Sequence, residues 1–183
     1  MTVLKTSLDG VLIVEPRRFE DGRGFFQEMY HGPRYQEAGI DVAFQQDNLS
    51  RSVRGTLRGL HYQAEPHAQA KLVHVLEGSV YDVAVDLRRD SPTFGQHVGV
   101  ELSAATGRQL YIPVGFAHGF CVTSDTALFA YKCSAPYAPD AEGSIRWDDP
   151  DLGIAWPVRS PVISDKDQAA PSLASHLVGT NPF

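Results

Sequence analysis

Apolar and polar positions along most of this chain alternate in short bursts, not at helical spacing. Tyr81-Asp82-Val83-Ala84-Val85-Asp86-Leu87 has period two: Tyr81, Val83, Val85 and Leu87 share one face, and Asp82, Ala84 and Asp86 share the other. Glu77-Gly78 just before it reads as the turn of a hairpin that joins it to a strand over 71–76. Further strands are predicted over 96–102, 109–112, 118–123 and 127–133, with a loop over 88–95 where Asp90, Ser91, Pro92 and Gly95 gather. Early in the chain only 33–38 reads as helical, with Pro33 suited to a first turn and Gly39 to the end. Many short strands at regular spacing predict an all-β sandwich or barrel, with a jelly roll favoured. The tail over 148–183, rich in Pro, Asp and Ser, is expected to wrap the strands and to form a short helix near 170–177. No linker, low-complexity tract or strict repeat interrupts the 183 residues, so a single domain over 1–183 is expected.

Composition adds mainly exclusions. Hydrophobic residues make up 43% and charged residues 21%, ordinary for a globular protein. A net charge of -6 argues against wrapping nucleic acid, which needs a broad basic face, but a local Arg and Lys cluster can still hold a small anion. No stretch is long and apolar enough to span a bilayer, and Met1-Thr2-Val3-Leu4-Lys5 lacks the apolar run of a signal peptide, so a cytoplasmic protein with no membrane partner is expected. Cys121 and Cys133 are not spaced as a zinc knuckle or a redox pair and read as reduced core thiols.

Two related stretches carry the chemistry. Gly55-Thr56-Leu57-Arg58-Gly59-Leu60-His61-Tyr62-Gln63 and 107–118, which runs from Gly107 to His118, each open on glycine and close on or near histidine. Their layout resembles the two halves of a cupin barrel, in which His-x-His and a lone histidine face one metal. Here Gln63 stands at the second histidine of the first half. His61, Gln63, His67 and His118 are the available donors, but glutamine is a poor transition-metal ligand and His67, after Pro66, reads as loop. A pocket that keeps His61 and His118 suits proton transfer better, and neither metal nor cofactor is expected.

Each candidate has an ordinary fate beside its chemical one. His61 is a general base or a hydrogen-bonded core histidine; its company of Arg58, Tyr62 and Gln63, where a structural strand would carry Val and Ile, favours the base. Arg58 and His61 are three apart, so they share a pocket only if the strand bulges, and Gly59 is the natural place. Lys71, ahead of Leu72-Val73, meets a developing enolate oxygen or ends a strand in solvent. Tyr131 is a proton donor opposite His61 or a core aromatic, and Tyr137 a stacking platform or a plain loop tyrosine. Asp165-Lys166-Asp167 is a solvated run unless the tail folds back, where one carboxylate would orient His61.

The segments 54–63, Gln69-Ala70-Lys71-Leu72-Val73, 82–89, 112–120 and Tyr131-Lys132-Cys133 resemble the dTDP-4-dehydrorhamnose 3,5-epimerase family, over most of the chain from about Gly10 to the 164–167 segment. The resemblance implies a metal-free cupin jelly roll with a few short peripheral helices, a homodimer acting on a dTDP-4-keto-6-deoxy sugar. It makes His61 the proton acceptor, Asp167 its supporting carboxylate, Tyr131 the proton donor and Lys71 the partner of the 4-keto oxygen. It places Arg23 and Arg58 on the diphosphate. Glu28, Gln46, Asp47, Asn48, His118, Glu142 and Lys166 fall on further substrate contacts, and Tyr137 on the aromatic that stacks on thymine. The 23–28 region is the part expected to cross a dimer interface. His74, where Arg or Thr is expected, and Val114, where Glu is common, depart from the pattern and leave room for a relative that inverts one carbon. A cupin ketoisomerase on the same sugars and a sugar-nucleotide binding module are the other readings.

Overall fold

The computed structural model describes residues 1–178 and 182–183; residues 179–181 of the expected tail lie outside the described part. In chain order it contains β1 (Thr2–Lys5), β2 (Leu12–Glu15), β3 (Arg18–Asp21), β4 (Gly24–Gln27), α1 (Gly32–Glu37), β5 (Gln46–Val53), β6 (Leu57–Gln63) and β7 (Lys71–Glu77). There follow β8 (Ser79–Asp86), β9 (His97–Ser103), β10 (Gln109–Ile112), β11 (Phe116–Val122), β12 (Thr126–Cys133), β13 (Glu142–Ser144), α2 (Asp165–Gln168) and α3 (Leu173–Val178). Six strands form one antiparallel sheet in the order β1-β2-β10-β7-β12-β5, and five form a second in the order β13-β6-β11-β8-β9. The sheets face each other as an all-β jelly roll, with β3 and β4 as a separate hairpin.

The expected hairpin between β7 and β8 does not form, because these strands belong to different sheets. Gly78 turns the chain from one sheet into the other. It has φ +77°, and a Cβ there would lie 2.1 Å from the Thr126 carbonyl oxygen, so the corner has room only for glycine.

Three apolar layers hold the fold. Val73, Val75, Leu110, Ile112 and Phe129 from the first sheet meet Val80, Val100, Leu102, Phe116 and Phe120 from the second. Outside the second sheet, Leu60, Val83, Val85, Leu87 and Ala117 are covered by Ile145, Leu152 and Leu173 of the returning tail. Outside the first, Val14, Leu72 and Tyr111 lie under Tyr35 and Ile40 of the α1 region. Each fully buried aliphatic side chain contributes about 1.5–3 kcal/mol of transfer free energy. The layers reveal how β8 is used: its apolar face, Val83 and Val85, lies under the tail, while Asp82 and Ala84 point between the sheets.

α1 begins at the N-cap His31 with Pro33 in its first turn, and Gly39, at φ +92°, follows its end. Near the C-terminus, backbone bonds from Val162 N–H to Gly55 O (2.9 Å) and from Leu57 N–H to Val162 O (3.0 Å) clip the tail beside β6. That clip places α2, at residues 165–168, over the end of the barrel.

Candidate active site

β6 brings Arg58 and His61 to the same cavity by a bulge. His118 of β11 pairs with His61, and Phe120 with Arg58, so two steps along β11 match three along β6. Gly59 lies inside that irregularity at φ +136°, and a Cβ on it would fall 2.5 Å from the Gly119 Cα. The expected bulge at Gly59 is therefore where the strand departs from regular pairing.

Two lobes open into the barrel between the sheets. The inner lobe, about 260 Å³, is lined by Arg58, His61, Lys71, His118, Tyr131 and Asp167, with Phe120 and Phe129 among its walls. The outer lobe, about 310 Å³, is bordered by Gln46, Asn48, Gln69, Tyr137 and Glu142. His61, Lys71 and Tyr131 belong to both, at the junction.

His61 Nε2 lies 2.7 Å from Asp167 Oδ1. Burial works to raise the Asp167 pKa, but the bonds from His61, the Gly59 N–H and Ser164 outweigh it and hold the carboxyl below its ordinary value. Against a carboxylate, Nε2 is the donor, which leaves the Nδ1 lone pair as the basic site. Asp167 is itself fixed: the Ser164 hydroxyl caps its N–H at 3.2 Å, and the Gly59 N–H donates to its Oδ2 at 3.3 Å.

The Nζ of Lys71, opposite Cys133 on β12, has no hydrogen-bond or ion-pair partner among the described residues. Burial pushes its ammonium pKa down, while Cys133, Asp82 and Glu142 push it back up. Tyr131 goes the other way: burial raises its pKa, and Cys133 and Glu142 add to that, so the phenol keeps its proton. One cavity thus holds a base, a cation and a proton-bearing phenol.

The outer lobe is cross-braced. Glu142 Oε2 accepts from the Tyr137 hydroxyl at 2.8 Å and from Lys166 Nζ at 2.6 Å. Gln46 Oε1 accepts the Tyr137 N–H at 2.8 Å and its amide donates to Asn48 Oδ1 at 2.9 Å. Gln63 donates to the carbonyls of His67 (2.7 Å) and Pro136 (3.2 Å) and accepts the Ala138 N–H (2.9 Å), so it struts two loops. Tyr137 is 56% exposed, open to receive a flat group.

Three expected residues are elsewhere within the single chain. Asp47 pairs with Lys132 at 2.8 Å on the opposite face of β5 from Gln46 and Asn48. Arg23 pairs with Asp21 on the β3–β4 hairpin, and Glu28 with Arg34. Neither borders the lobes. His74 and Val114 are absent from the lining as well. Conversely, Ser50, whose buried Oγ lacks a protein partner, lines the inner lobe together with Phe120 and Phe129. No sequence signal singled these out, since serine in a strand and phenylalanine in a core are ordinary. His61, Gln63 and His118 each spend a ring or amide nitrogen on a protein partner, and among the described residues no three His, Cys, Asp or Glu side chains are grouped as metal ligands would be.

The profile of the dTDP-4-dehydrorhamnose 3,5-epimerase family matches residues 5–175. A dTDP-4-dehydrorhamnose 3,5-epimerase of Shigella flexneri is 55% identical over 168 residues, 91% of this chain and 93% of that protein. The crystal structure of a Legionella pneumophila 3,5-epimerase in complex with dTDP-4-keto-L-rhamnose superposes with a TM-score of 0.91 at 52% identity, over 94% of this chain and 93% of the other. A dTDP-4-dehydrorhamnose 3-epimerase of Streptomyces niveus is 41% identical over 175 residues, 95% of this chain and 84% of that protein. The barrel, the paired imidazole and these matches converge: the chain belongs to the dTDP-4-dehydrorhamnose 3,5-epimerase family of cupin-fold isomerases that act on carbohydrates.

Proposed function

We propose that this chain inverts C3, C5 or both in a dTDP-linked 4-keto-6-deoxyhexose, as dTDP-4-dehydro-6-deoxyglucose becomes dTDP-4-dehydrorhamnose. What carries the reading is the junction: His61, backed by Asp167 at 2.7 Å, meets Lys71 and Tyr131 where the two lobes join. The ketone at C4 acidifies the neighbouring C–H bonds. His61 Nδ1 takes the proton, and the electron pair moves to the C4 oxygen as an enolate. Lys71 meets that charge in a site sheltered from water, where it counts for more. Tyr131 then gives its phenolic proton to the opposite face of the carbon, and solvent returns both groups to their starting states. The thymine stacks on Tyr137, with Gln46, Asn48, Glu142 and Lys166 around it, and Arg58 and His118 hold the diphosphate and sugar.

The working unit is a homodimer. Phe19, Phe25 and Phe26 on the β3–β4 hairpin are exposed by 49%, 61% and 69%, a surface that asks for a cover. Arg23 and Glu28, expected on the substrate, do not border the lobes of their own chain, so we assign them to the other subunit's site. Asp47 contacts substrate only if its bond to Lys132 gives way. The enzyme works in the cytoplasm, where the buried, free thiols of Cys121 and Cys133 stay reduced. Among the described residues, no helix is long and apolar enough to cross a membrane.

Proton NMR of a dTDP-4-keto-6-deoxyglucose reaction in deuterated buffer tests the reading. Deuterium at C3 and C5 is the expected result. Label at one centre identifies the mono-epimerase, which the similarity to a 3-epimerase favours as the second reading. A displaced ketone identifies a ketoisomerase, and tight binding without exchange overturns catalysis altogether.

A further inference from the structure

Beneath the inner lobe lies a second histidine–carboxylate contact, one that takes no part in the proposed proton transfers. Asp82, on β8, is 0% exposed and sits among apolar residues between the sheets. Its two carboxylate oxygens lie 3.1 and 3.0 Å from Nε2 of His118, which is 7% exposed. Burying a carboxylate is costly unless its partners are well placed. Here His118 is the sole hydrogen-bonded side chain among the described residues, with the Lys71 ammonium near enough to interact electrostatically. The ring of His118 is stacked on Phe129, centroids 6.1 Å apart at 18° between planes, so its plane is fixed as well as its edge. His118 lines the inner lobe directly across the strand pair from His61. Its Nδ1 has no protein partner among the described residues.

We propose that Asp82 is a positioning residue: it holds His118 with the proton on Nε2, so that Nδ1 faces the inner lobe as an acceptor for a hydroxyl of the sugar. The proposal rests on reading that lobe as the sugar site. A carboxylate accepts and never donates, so Asp82 dictates which ring nitrogen carries hydrogen. With Nδ1 unprotonated, His118 selects a hydroxyl in a place where the ketone oxygen, itself an acceptor, gains nothing. The ketone is thereby left to Lys71, and the ring is oriented between His61 and Tyr131. Facing His118 across the lobe are Arg58 and His61 from β6, Lys71 from β7, Tyr131 from β12, and Lys166 and Asp167 from α2.

The test joins a spectroscopic readout with a mutant cycle. In the free wild-type protein, the 15N imidazole signals of His118, assigned by their loss in His118→Asn, show the Nε2–H form. In Asp82→Asn, whose amide can donate as well as accept, Nε2–H is no longer enforced and the Nδ1–H tautomer gains population. With dTDP-4-keto-6-deoxyglucose, Asp82→Asn lowers kcat/KM about 10–100-fold, the scale of lost outer-shell support, mostly through KM, because a hydroxyl contact exists before and during reaction. In a His118→Asn background the same substitution costs nothing more. An Nδ1–H form in the wild type, or an unchanged tautomer in Asp82→Asn, overturns the proposal. So do fully additive losses in the double variant, which would mean that Asp82 acts without His118. The tautomer measurement needs no substrate and holds even if a variant melts early. It therefore separates failure here from failure of the functional reading, which a wild-type enzyme without deuterium incorporation would reveal.

Discussion

Nε2 of His61 and Oδ1 of Asp167 lie 2.7 Å apart although 106 residues separate them along the chain. β6 supplies the imidazole, and the tail, clipped to β6 at Val162, supplies the carboxylate. In the proposed reaction the carboxylate both orients the ring and stabilises the imidazolium formed when the proton arrives. His61→Asn is expected to abolish turnover, and Asp167→Asn to lower kcat by about 10²–10⁴-fold. Calorimetry with dTDP should show binding retained in both. Near-wild-type rates in the His61 variant would remove it as the base.

Tyr131→Phe separates the two halves of the reaction. In the proposed reaction proton removal depends on His61 and Lys71, which the change leaves alone. Solvent deuterium exchange should continue, while net inversion slows by about 10²–10⁴-fold, the usual worth of a placed acid. Exchange and inversion falling together would end the assignment of Tyr131 to the opposite face.

The alkaline limb of activity follows from opposite shifts. Burial lowers the pKa of Lys71 from 10.5 and raises that of Tyr131 from 10.0. As pH rises, the Lys71 ammonium is lost below its ordinary 10.5 and the phenol keeps its proton beyond its ordinary 10.0, so activity should decline with the cation. Lys71→Met should cost about 10²–10³-fold in kcat. Lys71→Arg, cationic throughout the accessible range, should lose the alkaline limb even where its rate is lower. A limb that persists in Lys71→Arg belongs to another group.

Gly59→Ala should be damaging out of proportion to its size. A methyl there meets the Gly119 Cα at 2.5 Å and the His118 carbonyl oxygen at 3.0 Å, in a backbone held at φ +136°. We expect at least about 1–3 kcal/mol of lost stability by thermal or urea unfolding. Activity should fall further than stability, because the bulge sets Arg58 and His61 together.

Complementation tests the shared site. Arg23→Ala and His61→Asn should each be inactive as pure proteins. Unfolded together and refolded as a mixture, they should regain activity, since one subunit of each hybrid then has an intact His61 beside the other's intact Arg23. No recovery, with hybrids verified by mass spectrometry, would return Arg23 to its own chain.

Some of this was legible from residue patterns and some was not. The 109–112 strand coincides with β10, and 127–133 with all but the first residue of β12, because short, largely apolar runs bounded by turn residues mark buried strands. The same pattern misled at Glu77-Gly78: a glycine turn between two strands looks alike whether it closes a hairpin or passes to another sheet, and β12 contacts decide which. Short pieces such as β1, β3, β4 and β13, and the polar β5, carry too few apolar positions to show a period. His61 and Lys71 drew notice because charged groups are costly in such runs. Asp167 in a charged triplet, by contrast, looked like surface, and only long-range folding or family resemblance brings it to the imidazole. Asp82 was visible as the polar face of β8, but nothing local says that this face turns inward.

Gln63 gives position 63 a meaning apart from proton chemistry. Where a metal-binding relative would spend a histidine, this barrel uses an amide that satisfies the His67 and Pro136 carbonyls and the Ala138 N–H at once. An imidazole has neither the reach nor the two-headed donor and acceptor pattern to replace it. Placing a histidine there would orphan the backbone of the arm that carries Tyr137. A histidine at position 63 would therefore loosen the proposed nucleotide platform at Tyr137 before it could serve any metal.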